Sequence, residues 1–120
     1  MGAGGVIVPP EGYHARVADL CRDYEIKVIS DEVVTAFGRL GHFFASKDVF
    51  GFQPDIITTA KGLTSGYQPL SATILSDEIH EVISGPGGMF LHGMTYSGHP
   101  AAAAAGLANI ALMERDRIPE

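Results

Sequence analysis

Residues 54–63 read PDIITTAKGL, and this stretch decides the fold. The apolar run over 55–59 predicts a short buried strand that ends at Ala60 and Lys61, and the glycine-containing segment 62–69 predicts a loop. A second short strand, predicted over 26–30, ends at Asp31. Short apolar strands separated by helix-like crossovers are typical of an α/β fold. We therefore expect a mostly parallel sheet with flanking helices, open to ligands at the carboxyl ends of its strands.

The remaining sequence predicts further elements around this sheet. A helical period over 10–24 places Tyr13, Val17, Leu20, Cys21 and Tyr24 on one apolar face, which makes Cys21 a core residue rather than a reactive thiol. The other predicted elements are a strand over 4–8, a short helix over 43–50, a strand over 71–75, a helix over 77–84 capped by Asp77, a loop over 85–88 and a long helix from Pro100 to Arg115. No linker divides the chain, so we expect residues 1–120 to belong to one domain.

Composition and charge exclude several classes of partner. The chain has 120 residues, of which 46% are hydrophobic, so it can bury a core. Its formal net charge is −6 and its basic residues are scattered, which argues against a nucleic-acid surface. The longest weakly polar run, 100–113, is too short to span a bilayer, and the N-terminus does not resemble a signal peptide. The single cysteine excludes an internal disulfide. We expect a cytoplasmic protein without membrane or nucleic-acid partners.

Two charged residues follow the two central strands, Asp31 and Lys61. Because parallel strands end at one rim, we expect both side chains to emerge where α/β sheets bind ligands. A lysine amine and a carboxylate suit pyridoxal phosphate, since the amine forms a Schiff base and the carboxylate keeps the pyridine nitrogen protonated. Taken alone, Lys61 also fits a solvated charge and Asp31 a turn cap. The five histidines are dispersed and Cys21 has no partner, so no metal site is predicted.

Several separated motifs together carry a family resemblance. They are the segments Val28-Ile29-Ser30-Asp31-Glu32-Val33, Phe37-Gly38-Arg39-Leu40-Gly41, 54–63 with Gly66, and His92-Gly93-Met94-Thr95-Tyr96-Ser97-Gly98-His99-Pro100. In order and spacing this pattern resembles the class III, pyridoxal-phosphate-dependent aminotransferases over nearly the whole chain. The resemblance implies part of the large, cofactor-binding domain of a fold-type I transferase over residues 1–120. It also implies that this chain matches only an internal part of such an enzyme and that, by itself, it has little or no activity.

The resemblance also implies residue roles. Lys61 would bind the cofactor as a Schiff base and move the substrate proton, Asp31 would pair with the pyridinium nitrogen, and Val33 would pack on one ring face. Thr95 would bind the cofactor phosphate in the neighbouring subunit's site. For Thr95 and Ser97, a simple helix-capping role is the alternative. Glu32 is interpreted as structural because adjacent strand residues face opposite ways, and Arg39 as part of its loop rather than of the site.

The implied function is transfer of an amino group from an amine or ω-amino acid to an oxo acid such as pyruvate. Segments 5–10, 30–33 and 95–100 most resemble the pyruvate-linked ω-transaminases. The resemblance implies a homodimer or homotetramer. Two alternatives stay open: another class III enzyme such as an aminomutase or decarboxylase, and an inactive piece that acts only through interactions.

Overall fold

A computed structural model describes residue 2 and residues 4–119 of the chain. Its helices are α1 (Tyr13–Asp23), α2 (Ala45–Asp48), α3 (Asp77–Ser84) and α4 (Pro100–Arg115), and its strands are β1 (Ile29–Asp31), β2 (Ile56–Thr59) and β3 (Ala72–Leu75). A single 3-10 turn, Lys61–Thr64, follows β2, and we call it the lysine turn. The predicted α/β fold with flanking helices is confirmed.

The sheet is mixed rather than mostly parallel. β2 is central, pairing in parallel with β1 and antiparallel with β3. The expectation of a mostly parallel sheet is therefore correct for one of the two strand pairs and wrong for the other. The reason is the connection between β2 and β3, which contains the lysine turn and a loop. Residues 60–71 form no α-helix that could cross over the sheet, so the chain returns beside β2 in the opposite direction.

The structure describes all of residues 4–8, and the strand predicted there does not form. Gly5 and Val6 both have positive φ angles, 87° and 60°. Two successive left-handed residues cannot continue an extended strand, and Val6 and Val8 are 75% and 79% exposed. Apolar composition alone misidentified this segment as a strand.

Helix boundaries are close to those predicted, but the predicted Asp77 cap is wrong, and the alternative capping role for Thr95 or Ser97 is not observed. α4 begins at Pro100 and ends at Arg115, as expected. Its N-cap is His99, whose Nδ1 accepts a hydrogen bond from the Ala102 N–H at 3.4 Å, so neither Thr95 nor Ser97 caps it. At α3, Asp77 is the first helical residue and Ser76 occupies the N-cap position without a side-chain bond.

The buried core consists mainly of small side chains around the lysine turn and α4. The buried apolar residues are Ala18, Ala36, Ala45, Leu63, Ala102 and Met113. The predicted apolar face of α1 is largely open, since Leu20 and Tyr24 are 57% and 72% exposed, and Cys21 is half-buried. Across residue 2 and residues 4–119, no helix combines the length and the apolarity needed to cross a membrane.

Candidate active site

Asp31 and Lys61 leave the sheet at the same edge. Asp31, the last residue of β1, lies opposite Thr58 of the parallel neighbour β2. The lysine turn begins at Lys61, two residues after the last residue of β2. Both side chains are exposed, and no hydrogen bond joins them. The structure thus brings the two together at one rim, as the sequence predicts, and this is the rim where α/β sheets bind ligands.

The backbone of the lysine turn is held in an unusual conformation. Lys61 has a φ of 45°, in the left-handed region, which costs roughly 1 kcal/mol or more for a non-glycine residue. The next residue, Gly62, passes very close to a neighbouring loop. A Cβ on Gly62 would lie 2.8 Å from Phe37 Cβ and 3.3 Å from the Ala36 carbonyl oxygen. Only glycine allows this approach, so the position of Lys61 depends on Gly62.

The Asp31 carboxylate organises the start of the following turn. Its Oδ1 accepts a hydrogen bond from the Val33 N–H at 3.1 Å. Within the described chain, no hydrogen bond or ion pair engages Asp31 Oδ2. Val33 is half-buried. The bond therefore links the two predicted cofactor-binding residues, Asp31 and Val33, and leaves one carboxylate oxygen available to a ligand.

Glu32, next to Asp31, has a structural role, as the sequence predicts. It is 2% exposed, and its Oε2 accepts the Ala45 N–H at 2.7 Å while its Oε1 accepts the Ser46 N–H at 2.9 Å. The Ser46 hydroxyl also donates to Oε1, and the Thr35 hydroxyl donates to Oε2 at 3.2 Å. Because both oxygens are occupied by donors that begin α2, Glu32 joins the sheet to that helix and does not face the rim.

Thr95 lies apart from the rim residues within the chain. It occupies an exposed turn in which the Ser97 N–H donates to the Met94 carbonyl oxygen at 2.9 Å and the Ser97 hydroxyl accepts the Met94 N–H at 3.1 Å. No hydrogen bond of the described residues joins Thr95 to Asp31 or Lys61. The structure therefore does not unite this predicted site residue with the other three, and its role stays a prediction.

Sequence reasoning missed Asn109, which contacts the lysine turn from α4. Its Nδ2 donates to the Gly62 and Leu63 carbonyl oxygens at 2.8 and 3.2 Å, and its Oδ1 accepts the Ser65 hydroxyl at 2.7 Å. A weak signal exists in the sequence, because asparagine is a poor helix former and here interrupts an alanine-rich helix. Its partner is about 45 residues away along the chain, which no local pattern reveals.

Some of the charged groups outside the rim form ion pairs with each other. The Lys27 amine donates to a Glu78 oxygen at 2.5 Å, and this bond raises the Lys27 pKa above its usual value. Arg115 and Asp116 form a close pair that lowers the Asp116 pKa. Arg39 is exposed in the loop after Phe37, and its exclusion from the site stays a prediction. Among residue 2 and residues 4–119, no three His, Cys, Asp or Glu side chains are grouped as metal ligands would be.

The rim residues fit pyridoxal phosphate by the chemistry of their functional groups. Lys61 offers an exposed primary amine that makes no hydrogen bond or ion pair with any described residue. Asp31 offers a carboxylate oxygen, and Val33 an apolar side chain held next to it. An amine for the aldehyde and a carboxylate for the ring nitrogen are the two polar groups that this cofactor needs.

Comparison with known proteins places the chain in one family. The profile of the family "Aminotransferase class-III" matches residues 1–120. The putrescine–pyruvate aminotransferase of Pseudomonas aeruginosa is 49% identical over 120 residues, covering 100% of this chain and 26% of that protein. The diaminobutyrate–2-oxoglutarate transaminase of Halomonas elongata is also 49% identical, over 119 residues, with 97% of this chain and 25% of the relative covered.

Comparison with solved structures points to the same family. The crystal structure of an amine transaminase from an uncultivated Pseudomonas species, in its PLP-bound form, superposes with a TM-score of 0.90 at 47% identity, over 98% of this chain and 27% of that one. The chain thus spans about a quarter of the length of the curated relatives it matches, 26% and 25% for the two above. It belongs to the class III aminotransferase family, whose members use pyridoxal phosphate.

Proposed function

We propose that the complete protein carrying this chain is an aminotransferase that moves an amino group from an amine or ω-amino acid to an oxo acid such as pyruvate. The observation that carries the proposal is the placement of Lys61 and Asp31 at the ends of two adjacent parallel strands. The similarity to a putrescine–pyruvate aminotransferase supports a terminal amine as donor and pyruvate as acceptor. An equally similar relative is named for 2-oxoglutarate, which makes that oxo acid the competing acceptor.

The rim residues divide the chemistry between them. When bound, pyridoxal phosphate supplies an aldehyde and a ring that accepts electrons. Lys61 would hold this group covalently through its ε-amine, and its free amine would take up and return the proton at the substrate carbon. Asp31 would hold a proton on the ring nitrogen through its available carboxylate oxygen, and Val33 would pack against one ring face.

The geometry around Asp31 and Lys61 supports these roles. The Asp31 carboxylate is oriented by the Val33 N–H, and the Lys61 backbone is fixed between Phe37 and α4 through Gly62 and Asn109. Groups held on rigid elements keep the geometry that proton transfer requires. If Lys61 were only a solvated charge at the end of a strand, its backbone would not need to be fixed in this way.

We extend the proposal to the subunit arrangement, a homodimer or homotetramer. The segment 90–96, which includes Thr95, carries large apolar side chains that no other part of this chain covers. Phe90, Leu91, Met94 and Tyr96 are 64%, 88%, 71% and 82% exposed. An exposed apolar segment of this kind favours burial against another subunit. In such an arrangement the Thr95 hydroxyl donates to the cofactor phosphate of the neighbouring site.

Residues 1–120 on their own are proposed to form part of the large cofactor-binding domain and to turn over little or no substrate. The open apolar face of α1, with Leu20 57% and Tyr24 72% exposed, supports packing against further structure. A productive site also needs groups from several rigid elements, and Asp31, Val33 and Lys61 come from one rim.

A product assay with the complete protein tests the function. The protein is incubated with pyridoxal phosphate, putrescine, and either pyruvate or 2-oxoglutarate, and alanine or glutamate is measured by mass spectrometry. We expect alanine to form in step with amine loss, and to require Lys61 but not Lys47, an exposed lysine of α2. In a parallel incubation with 2,4-diaminobutyrate, which carries a carboxylate, carbon dioxide release or amine migration without oxo-acid consumption would instead identify a decarboxylase or an aminomutase. Preferential glutamate formation would reassign the acceptor.

A further inference from the structure

The face of α4 that packs on the lysine turn is built from small and flexible residues. Ala102, Gly106 and Met113 are buried, and their spacing of four and seven residues places them on one side of the helix. A Cβ on Gly106 would lie 3.1 Å from Leu70 Cδ2 and 3.8 Å from the Leu63 carbonyl oxygen. The helix backbone therefore approaches the lysine turn closely, and Asn109, three residues after Gly106, lies on the same side.

Asn109 is the polar residue of this contact, and it uses both ends of its amide. Nδ2 donates to the carbonyl oxygens of Gly62 and Leu63, at 2.8 and 3.2 Å, and Oδ1 accepts the Ser65 hydroxyl at 2.7 Å. These bonds engage three of the four residues that follow Lys61. The two carbonyl partners belong to the second and third peptide groups after Lys61, within the lysine turn.

The lysine turn is also bonded to the residues that flank it. The Leu63 N–H donates to the Ala60 carbonyl oxygen at 3.1 Å, and the Ser65 N–H donates to the Gly62 carbonyl oxygen at 3.2 Å. A 3-10 turn is less regular than an α-helix, and this one begins with a left-handed residue, Lys61. A strained conformation persists only where its surroundings fix it, and the Asn109 amide provides that fixation from a separate element.

A purely packing role explains these observations poorly. Alanine or leucine would fill the same helical position with better helix propensity. The asparagine side chain instead matches two acceptors and one donor of the turn, with bonding that a leucine side chain cannot provide. Its three shortest bonds end on residues 62–65, just after Lys61, and its Nδ2 also donates to Met113 Sδ within α4 at 3.5 Å.

We propose that Asn109 is a positioning residue that holds the peptides after Lys61 and so aims the Lys61 amine at the cofactor. The inference rests on the proposed function of Lys61, and it goes further in assigning a role to a residue on α4. Asn109 does not touch substrate or cofactor in this account. It acts through the lysine turn alone.

The test compares three variants of the complete protein. Asn109→Leu removes the three bonds to the lysine turn and its C-cap, together with the longer Nδ2 bond to Met113 Sδ. Asn109→Asp keeps an acceptor for Ser65 but replaces the donated bonds with a carboxylate facing two carbonyl oxygens. Ser65→Ala is the matched control, because it removes only the bond to Oδ1 and leaves both donated bonds in place. Each is assayed for kcat and KM with the amine and for hydrogen exchange of the peptide containing residues 61–67 in the cofactor-free protein.

We expect kcat to fall roughly 10- to 100-fold in both Asn109 variants while KM changes by less than about 3-fold, as a displaced catalytic group predicts. Hydrogen exchange of residues 61–67 should become at least about tenfold faster, since the turn opens more readily. Ser65→Ala should stay near wild type in both readouts. If Asn109→Leu does not fold, Asn109→Asp decides the matter on the same readouts.

An unchanged kcat with a lowered Tm would overturn the inference, because Asn109 would then serve stability alone. So would unchanged exchange over 61–67. The failure of the proposed function is distinguishable: borohydride treatment of the wild-type protein with pyridoxal phosphate would leave Lys61 unmodified. Trapping on Lys61 in wild type, with normal kinetics in the Asn109 variants, would contradict the Asn109 assignment only.

Discussion

Asp31 lies opposite Thr58 across the parallel β1–β2 pair, and this register determines how the rim is arranged. Lys61 follows Thr58 by three residues and starts the lysine turn. The Asp31 and Lys61 side chains therefore belong to adjacent strands with a fixed offset. The position of the Asp31 carboxylate relative to the Lys61 amine is therefore set by the pairing register of β1 and β2, and not by a direct contact between the two residues.

We expect Asp31→Asn to lower kcat roughly 10- to 100-fold. A charge-assisted hydrogen bond contributes about 1.5–3 kcal/mol, and each 1.36 kcal/mol corresponds to a factor of ten in rate. The neutral amide still fills the space and can still accept the Val33 N–H. Steady-state kinetics measure the effect, with Asp23→Asn, an exposed residue at the end of α1, as control. Equal activity of the two variants would remove Asp31 from the site.

Glu32→Ala should reduce the free energy of unfolding by about 3–5 kcal/mol, as removal of one partner from a buried charged network does. The backbone N–H groups of Ala45 and Ser46 would lose their acceptors in a buried place. Urea denaturation of the complete protein measures the change. Glu81→Ala, at an exposed position on α3, should change stability by less than about 0.5 kcal/mol. A small loss of stability in Glu32→Ala would mean that water replaces the carboxylate as the acceptor for these N–H groups.

Gly62→Ala should destabilise the protein by about 1–3 kcal/mol and slow cofactor attachment to Lys61. The added Cβ would lie 2.8 Å from Phe37 Cβ, so either the loop or the lysine turn must move. Gly2→Ala is the control, because a Cβ there would meet Val34 at an ordinary 3.7 Å. Thermal unfolding and the rate of Lys61 modification are measured together. If Gly62→Ala matches Gly2→Ala in both the unfolding temperature and the rate of Lys61 modification, the lysine turn tolerates displacement.

Mixing two inactive variants tests whether Thr95 serves the neighbouring site. A subunit with Lys61→Ala is combined with one carrying Thr95→Ala. In a mixed dimer, one site would combine an intact Lys61 with an intact Thr95 from the partner. Random exchange of equal amounts should then restore roughly a quarter of wild-type activity, since about half of the dimers are mixed and each has one intact site.

The same mixture gives no recovery if Thr95 acts within its own chain, because no site would then hold both residues. Mass photometry confirms that subunits have exchanged. As a separate control, Lys61→Ala mixed with Asp31→Asn should show no recovery beyond the Asp31→Asn level, since Asp31 and Lys61 share one rim.

The strongest local signals along the chain predicted their elements correctly. Pro100 fixed the start of α4, and the apolar runs before Asp31 and Lys61 marked β1 and β2. Charge at the ends of these strands was enough to predict that Asp31 and Lys61 share a rim. These inferences succeeded because each depends on a few adjacent residues and on a general property of parallel strands.

Features that depend on distant residues were missed or wrong. The antiparallel pairing of β3 follows from how the segment after Lys61 folds, and the valines at 6 and 8 lack strand structure because the backbone turns at Gly5. The Asn109 contact spans 46 residues to Leu63. No sequence period encodes such a bond, so only the structure reveals it.

The proposed role of Lys61 as the residue that carries the cofactor can be tested directly. The complete protein is reduced with borohydride in the presence of pyridoxal phosphate, then digested and analysed by peptide mass spectrometry. We expect one cofactor mass on the peptide containing Lys61, none on the peptide containing Lys47, and loss of the adduct in Lys61→Ala. A cofactor trapped on another lysine, or retained by the Lys61→Ala protein to the wild-type extent, would contradict it.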